Sequence, residues 1–166
     1  MNVVGLLMVS LLTTCAVPSG EAPLRFRLTA RETYTAGEPV TIGFSLQNIS
    51  GEPFRVLTWY TPLEGIWGSI FQVTRDGKEV PYQGPVAKRG DPDRDDYLLI
   101  RPATLAAAEV DLSRGWDLSV PGTYRVEFNG SIHDVAREGE ALPRPRDAHR
   151  GVDAKGDPVS FRVVRP

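Results

Sequence analysis

The fold class of this protein is decided by the stretch Val40-Thr41-Ile42-Gly43-Phe44-Ser45-Leu46-Gln47-Asn48. Apolar side chains alternate with polar or small ones, and a period of two places every second residue on the same face of a β-strand. The turn sequence Ala36-Gly37-Glu38-Pro39 precedes the stretch, and a second turn over 48–53 follows it. We therefore predict a strand whose apolar face is buried in a core.

Similar short stretches occur on both sides of this strand. They are rich in β-branched, aromatic and aliphatic residues and are separated by turn residues, which is the pattern of an all-β protein. Ala106-Ala107-Ala108 favours helix by propensity alone, but we predict a strand there as well. The predicted strands include 24–28, 54–59, 97–100, 105–112 and 159–163.

A β-hairpin is predicted over Ile70 to Tyr82. Two alternating segments flank Asp76-Gly77, and this dipeptide readily adopts the positive φ angles of a tight two-residue turn. We therefore expect the two segments to pair as antiparallel neighbours.

A turn leads into the strand that begins at Tyr124. In immunoglobulin-like sandwiches a tyrosine at such a corner donates its hydroxyl to upstream backbone while its ring packs in the core. Together with roughly seven short strands, this predicts an all-β, immunoglobulin-like antiparallel β-sandwich. The charged, aperiodic stretch at about 130–158 is predicted to be a long loop of this domain.

The first 16 residues are predicted to be an export signal. Val3 to Leu12 is an apolar run too short to span a bilayer, although no Lys or Arg precedes it. Two cleavage patterns are open: a lipoprotein signal that ends before Cys15, with Cys15 acylated, or cleavage after Ala16. Residues 17–23 are then a linker and residues 24–166 the folded domain. We expect an exported protein that is periplasmic, envelope-bound or secreted, with membrane attachment only through a lipid anchor.

Composition and motifs argue against several classes of function. Nineteen basic and 21 acidic residues give a net charge of −2, which lacks the basic excess of nucleic-acid-binding domains. The sequence has only two histidines, His133 and His149, expected to be solvated loop residues; no His-Glu-x-x-His or Gly-x-Ser-x-Gly sequence occurs. The acidic run at 91–96 lacks the glycine and the closing glutamate of a calcium loop. We expect no catalytic site, no metal and no cofactor.

The aromatic segment from Trp59 to Phe71 breaks the alternation and contains Pro62, Gly65 and Gly68. Part of it is therefore predicted to be a loop that carries large side chains. Trp and Tyr are enriched at binding sites because they offer much contact area with few rotatable bonds. The alternative is that Trp59 and Trp67 cap one end of the core.

Several ordered blocks carry a family resemblance. They are Ala36-Gly37-Glu38-Pro39-Val40, Thr61-Pro62-Leu63-Glu64-Gly65, Phe71-x-Val73-x-Arg75-Asp76-Gly77, Val80-Pro81-Tyr82-x-Gly84-Pro85, Lys88-Arg89-Gly90 and Asp111-Leu112-Ser113. In this order they resemble the N-terminal domain of bacterial metallopeptidases of the deuterolysin and peptidyl-Lys metalloendopeptidase type. In that family the domain is the propeptide region ahead of a zinc catalytic domain, and it is associated with latency and folding of the protease.

The resemblance implies a propeptide-like binding module without the catalytic domain. Its expected partner is a protein, such as a secreted zinc metallopeptidase, on which it acts in trans as an inhibitor or folding helper. Two alternatives stay open: a structural or adhesive envelope lipoprotein, and a detached or truncated half of a zinc metallopeptidase. The candidate contact residues are Trp59, Tyr60, Leu63, Glu64, Trp67, Phe71, Tyr82, Lys88, Arg89 and Asp91.

Overall fold

A computed structural model describes residues 23–166, so the predicted export signal and Cys15 lie outside the described residues. The strands are β1 (Leu24–Thr29), β2 (Thr33–Thr35), β3 (Thr41–Asn48), β4 (Phe54–Leu57), β5 (Phe71–Arg75), β6 (Lys78–Glu79), β7 (Tyr97–Ile100), β8 (Leu105–Asp111), β9 (Gly122–Phe128), β10 (Ser131–Ile132), β11 (Val135–Arg137), β12 (Val152–Asp153) and β13 (Val159–Val164). Short 3₁₀ helices cover Pro62–Glu64, Arg94–Asp96, Leu112–Arg114 and Arg146–Ala148.

Two sheets form the main layers of the domain. One has the order β1-β3-β8 and is antiparallel throughout. The other has the order β2-β13-β9-β5-β6 and is antiparallel except where β2 runs parallel to β13. The predicted all-β antiparallel sandwich is confirmed. Smaller sheets of order β11-β4-β7 and β10-β12 lie in the connections between the main strands.

The alternating stretch over 40–48 forms the central strand of the first sheet, β3. Its apolar residues Ile42, Phe44 and Leu46 are buried, as the period of two predicts. Phe26 of β1 pairs with Leu46, and Ala106 of β8 pairs with Leu46 on the other side. The alanine segment is therefore strand and not helix, because pairing with β3 outweighs a weak local helix propensity.

Aromatic rings join the two layers. The Phe128 ring from β9 lies 5.2 Å from the centroid of Phe26 and 5.2 Å from that of Phe44, both in edge-on geometry. Edge-to-face pairs of this kind stabilise a core beyond the area that they bury. These contacts fix the first sheet against the second.

The predicted hairpin is confirmed at Asp76-Gly77. β5 pairs with β6 in antiparallel register, Arg75 opposite Lys78, and the two residues between them have φ angles of 50° and 80°. Positive φ at both central residues is the requirement of a type I′ turn.

The predicted tyrosine corner is also present. The Tyr124 hydroxyl donates a 2.7 Å hydrogen bond to the carbonyl of Val120, and its fully buried ring stacks 5.5 Å from that of Phe161. This contact ties the turn before β9 to the neighbouring strand β13.

The stretch at 130–158, predicted to be one long loop, contains three short strands. β11 extends β4, with Val135 opposite Val56, and β10 pairs with β12. These strands were not predicted, because two or three residues are too few to show the alternation of apolar and polar side chains. The connection is therefore folded onto the domain by backbone pairing.

Replacing Phe128 with alanine should destabilise the domain by about 3–5 kcal/mol, because removal of a large ring that contacts side chains of both sheets leaves a cavity. Urea unfolding followed by tryptophan fluorescence measures the free energy. The control is Leu105→Ala, since Leu105 is 57% exposed, and it should change stability by less than about 0.5 kcal/mol. Equal losses in the two variants would contradict the role assigned to the cross-sheet rings.

Candidate protein-binding surface

The loop over 58–70, between β4 and β5, has a defined backbone structure. Tyr60 adopts a φ of 58°, which is uncommon for a residue with a Cβ atom. Its N–H donates to Glu64 Oε1 at 2.7 Å, and the Thr61 hydroxyl donates to the Thr58 carbonyl at 2.6 Å. Thr61 also caps the 3₁₀ helix by accepting from the N–H of Leu63. These bonds hold the aromatic loop in one conformation.

Arg89 ties this loop to the segment that follows β6. Its guanidinium lies 4.8 Å from the centroid of the Trp59 ring, and its Nη2 lies 2.5 Å from Glu64 Oε2. Both partners of the ion pair are mostly buried, which strengthens the interaction relative to an exposed pair. Burial raises the pKa of Glu64, while the Tyr60 N–H and Arg89 oppose that rise. We call these two loops, joined at Arg89, the Arg89 junction.

The connection between β9 and β13 reaches the same junction. Arg146 donates from Nη1 to the Arg89 carbonyl at 2.9 Å, and its backbone N–H donates to Asp91 Oδ1 at 3.0 Å. The rings of Tyr60 and His133 lie 4.6 Å apart. Three segments that are distant in sequence therefore meet at one end of the sandwich.

A buried ion pair holds this third segment in place. Asp134, with no exposed side-chain surface, accepts from Arg144 Nη1 at 2.6 Å and from the N–H of Arg150 at 2.8 Å. Its second oxygen accepts from the Tyr97 hydroxyl at 2.7 Å. Burial raises the pKa of Tyr97 to about 12, and the hydrogen bond to the Asp134 carboxylate adds to the rise. Arg144 also contacts Glu140 at 2.9 Å.

The predicted contact residues differ in exposure. Trp67 is 42% exposed, and its indole N–H donates to the Glu64 carbonyl at 3.1 Å, so the ring is held while its surface faces solvent. The Trp67 carbonyl accepts from the N–H of Ala87, whose neighbour Val86 is 73% exposed. We call Trp67 and Val86 the Trp67 patch. Rigid aromatic area next to an exposed aliphatic side chain is suited to protein recognition.

Two predicted contact residues are almost fully buried, with Trp59 5% and Phe71 3% exposed. Phe71 packs in the core near Trp116 and Phe128, and Trp59 packs with Leu57 and Tyr97. For Trp59 the alternative prediction, a ring that caps one end of the core, describes its position better. For Trp67 that alternative is wrong, because its side chain is 42% exposed.

The remaining predicted residues lie around the junction. Tyr60, Leu63, Glu64, Tyr82 and Arg89 are half-buried, and Lys88 and Asp91 are exposed. Tyr82 packs against Trp116, with 4.9 Å between ring centroids, and its hydroxyl donates to the Pro85 carbonyl. Burial raises the pKa of this phenol.

Sequence reasoning missed the part played by the two histidines. His133 and His149 lie in loops, as predicted, with His133 exposed and His149 half-buried. Both nevertheless line one cleft of about 260 Å³ together with Leu57, Trp59, Tyr60 and Arg146. Val86 and Arg146 were not singled out either. The local sequence pattern does not show that the two histidines, which are 16 positions apart, come together. They do so because the buried Asp134 carboxylate bonds to Arg144 and Arg150, which folds the segment back on itself.

The described residues contain neither a cluster of metal-binding side chains nor a membrane-spanning helix. Within 23–166, no group of three or more His, Cys, Asp and Glu side chains is arranged to hold a metal ion. Over the same range, no helix is both long and apolar enough to cross a membrane.

Comparison with known proteins relates this chain to an extracellular protease. No protein-family model matches this protein. A search of curated proteins finds an extracellular protease of Aeromonas hydrophila that is 34% identical over 130 residues, covering 76% of the sequence. The chain is similar to part of a protease. The match covers only 35% of the protease, so this chain spans about a third of its relative. The predicted relationship to proteases is confirmed at this level.

Replacing Asp134 with asparagine should destabilise the domain by about 3 kcal/mol, near the lower end for breaking a buried pair, because Arg144 keeps Glu140 as a partner. Chemical denaturation measures the loss. The matched control is Glu127→Gln, which breaks the exposed Arg125–Glu127 pair and should cost less than about 0.5 kcal/mol. The assignment fails if both variants lose the same stability.

Proposed function

We propose that this protein is an exported, non-catalytic binding domain that acts in trans on a secreted protease, as an inhibitor or folding helper. The observation that carries the proposal is the similarity of this chain to part of an extracellular protease. The match covers 35% of that protease, so about two thirds of the relative lie outside the matched region. A region shared with a protease but lacking a cluster of metal ligands within 23–166 fits an accessory role. The resemblance to metallopeptidase propeptide domains favours a zinc metallopeptidase as partner.

The Trp67 patch is the proposed centre of contact. Trp67 is held by its bond to the Glu64 carbonyl and by the Arg89 junction beneath it, so little side-chain entropy is lost when a partner binds. Lys88 is exposed next to the patch and adds a positive charge at its rim. An aromatic anchor with a polar rim is the usual anatomy of a protein interface.

The part-length match favours one further candidate, in which the domain belongs to a larger protease and acts on it in cis. The same surface then faces a covalently joined partner. Dilution distinguishes the two, because the effect of a covalently joined domain does not depend on protein concentration, whereas the effect of a separate protein does.

Adding the purified protein to the extracellular protease that it resembles should slow casein hydrolysis in a saturable manner. Trp67→Ala should weaken the effect by about 2 kcal/mol, or roughly thirtyfold in the inhibition constant, because it removes the indole ring that the partner would cover. The yield of active protease after refolding, with and without the added protein, measures the folding-helper activity.

The matched control is Val120→Ala, since Val120 is also 42% exposed but lies in the turn before β9. This variant should behave like the unchanged protein. The trans proposal is overturned if neither the hydrolysis rate nor the refolding yield responds at any dose. If Trp67→Ala retains full effect, the patch is not the contact.

A further inference from the structure

The cleft at the Arg89 junction has a one-sided charge. Its lining residues are Leu57, Trp59, Tyr60, His133, Arg146 and His149, which include one arginine and two histidines but no acidic side chain. The aromatic side chains form its walls, since the Tyr60 and His133 rings lie 4.6 Å apart. A ligand that enters the cleft therefore meets apolar walls and positive charge.

The acidic groups behind the cleft already have partners. Glu64 pairs with Arg89, Asp134 pairs with Arg144, and Asp91 accepts from the backbone N–H of Arg146. Arg146 itself forms no ion pair with any residue in 23–166, and its guanidinium donates to the Arg89 carbonyl from Nη1 only. A guanidinium has five N–H donors, so most of its donor capacity is left for a ligand.

The histidines gain donors when they are protonated. A ring nitrogen of His149, Nε2, lies 3.2 Å from the Arg144 carbonyl, which favours a proton on that nitrogen. Protonation then adds a second N–H, at Nδ1. Burial lowers the pKa of His133, and repulsion from His149 lowers it further, so the empty cleft disfavours a second positive charge. A bound anion removes that penalty.

We propose that the cleft formed by Tyr60, His133, Arg146 and His149 binds a carboxylate group, with the Arg146 guanidinium as the main donor and ring N–H groups of the histidines as further donors. The carboxylate comes from an aspartate or glutamate of a peptide or from the C-terminus of a polypeptide. The site is separate from the Trp67 patch and does not depend on a protease partner.

The pH dependence follows from linkage. A bound carboxylate favours the protonated ring of His133, whose pKa is lowered in the empty cleft, so binding is tightest in mild acid and weakens as the pH rises through the pKa of His133 in the complex. The other charged groups around the cleft, Glu64, Arg89, Asp91, Asp134 and Arg144, are paired or hydrogen-bonded as described above. We therefore expect the pH profile of binding to follow His133.

Nuclear magnetic resonance tests the proposal directly, because the protein has only two histidines and both lie in the cleft. The protein, purified without an affinity tag, is titrated with Ac-Gly-Asp-Gly-NH₂ for an aspartate carboxylate and Ac-Gly-Gly-Gly-OH for a C-terminus. Their neutral counterparts, Ac-Gly-Asn-Gly-NH₂ and Ac-Gly-Gly-Gly-NH₂, serve as ligand controls. Sodium chloride at matched ionic strength controls for screening.

We expect saturable shifts of both histidine resonances with at least one carboxylate peptide and none with its neutral counterpart. The dissociation constant should be about three- to tenfold lower at about pH 5.5 than at about pH 7.5. Arg146→Gln should weaken binding about tenfold, Arg146→Lys should retain most of it, and Arg125→Gln, in the exposed pair on β9, should have no effect. Which peptide binds identifies the source of the carboxylate.

Three results would overturn the proposal. One is the absence of saturable shifts with both carboxylate peptides at either pH. Another is equal binding of the acid and amide peptides, which would assign recognition to the aromatic walls. The last is unchanged affinity in Arg146→Gln. Because Arg146 is exposed, we expect these variants to keep the core intact, and circular dichroism of each variant checks this.

Discussion

The packing of Phe128 against Phe26 and Phe44 is the constraint on which the rest of the molecule depends. It joins the β1-β3-β8 sheet to the five-stranded sheet, and it does so at the last residue of β9. Phe128 is also the direct cross-strand partner of Phe71, the first residue of β5. The loop that enters β5 and the connection that leaves β9 therefore start side by side. Their meeting at one end of the sandwich follows from this register.

Polar contacts then decide how the two connections fold. A carboxylate as buried as Asp134 requires donors, and it obtains them from Arg144, Arg150 and Tyr97. This brings the 144–150 region back over the aromatic loop, where Arg146 reaches the Arg89 carbonyl. The core thus sets the position of the surface that is proposed to bind a partner. The buried ion pairs set its conformation.

The separation between the Trp67 patch and the histidine cleft has a functional consequence. In the two proposals, the patch binds through the apolar side chains of Trp67 and Val86, whereas the cleft binds through the positive charge of Arg146 and the histidine rings. A partner that engages both would bind through an anchor and a pH-dependent contact. The two contributions are separable, since Arg89 and Glu64 lie between them and are paired with each other.

The fold was predictable from sequence because its signals are local. The alternation over 40–48, the Asp76-Gly77 turn and the tyrosine at 124 each depend on neighbouring residues only, and all three are confirmed. The site was predictable in part. The aromatic loop was found, but the burial of Trp59 and Phe71 depends on packing partners far along the sequence, Arg89 and Phe128. The pairing of His133 with His149 depends on a buried carboxylate that no periodicity reveals.

Hydrogen–deuterium exchange of this protein, alone and with a catalytically inactivated form of the related protease, tests the central claim most directly. If the sandwich is a scaffold for its loops, exchange slows in the 58–70 loop and the 83–91 segment, while β1 and β3 exchange as before. Protection confined to the β1-β3-β8 sheet, with unchanged exchange in both loops, would contradict the claim.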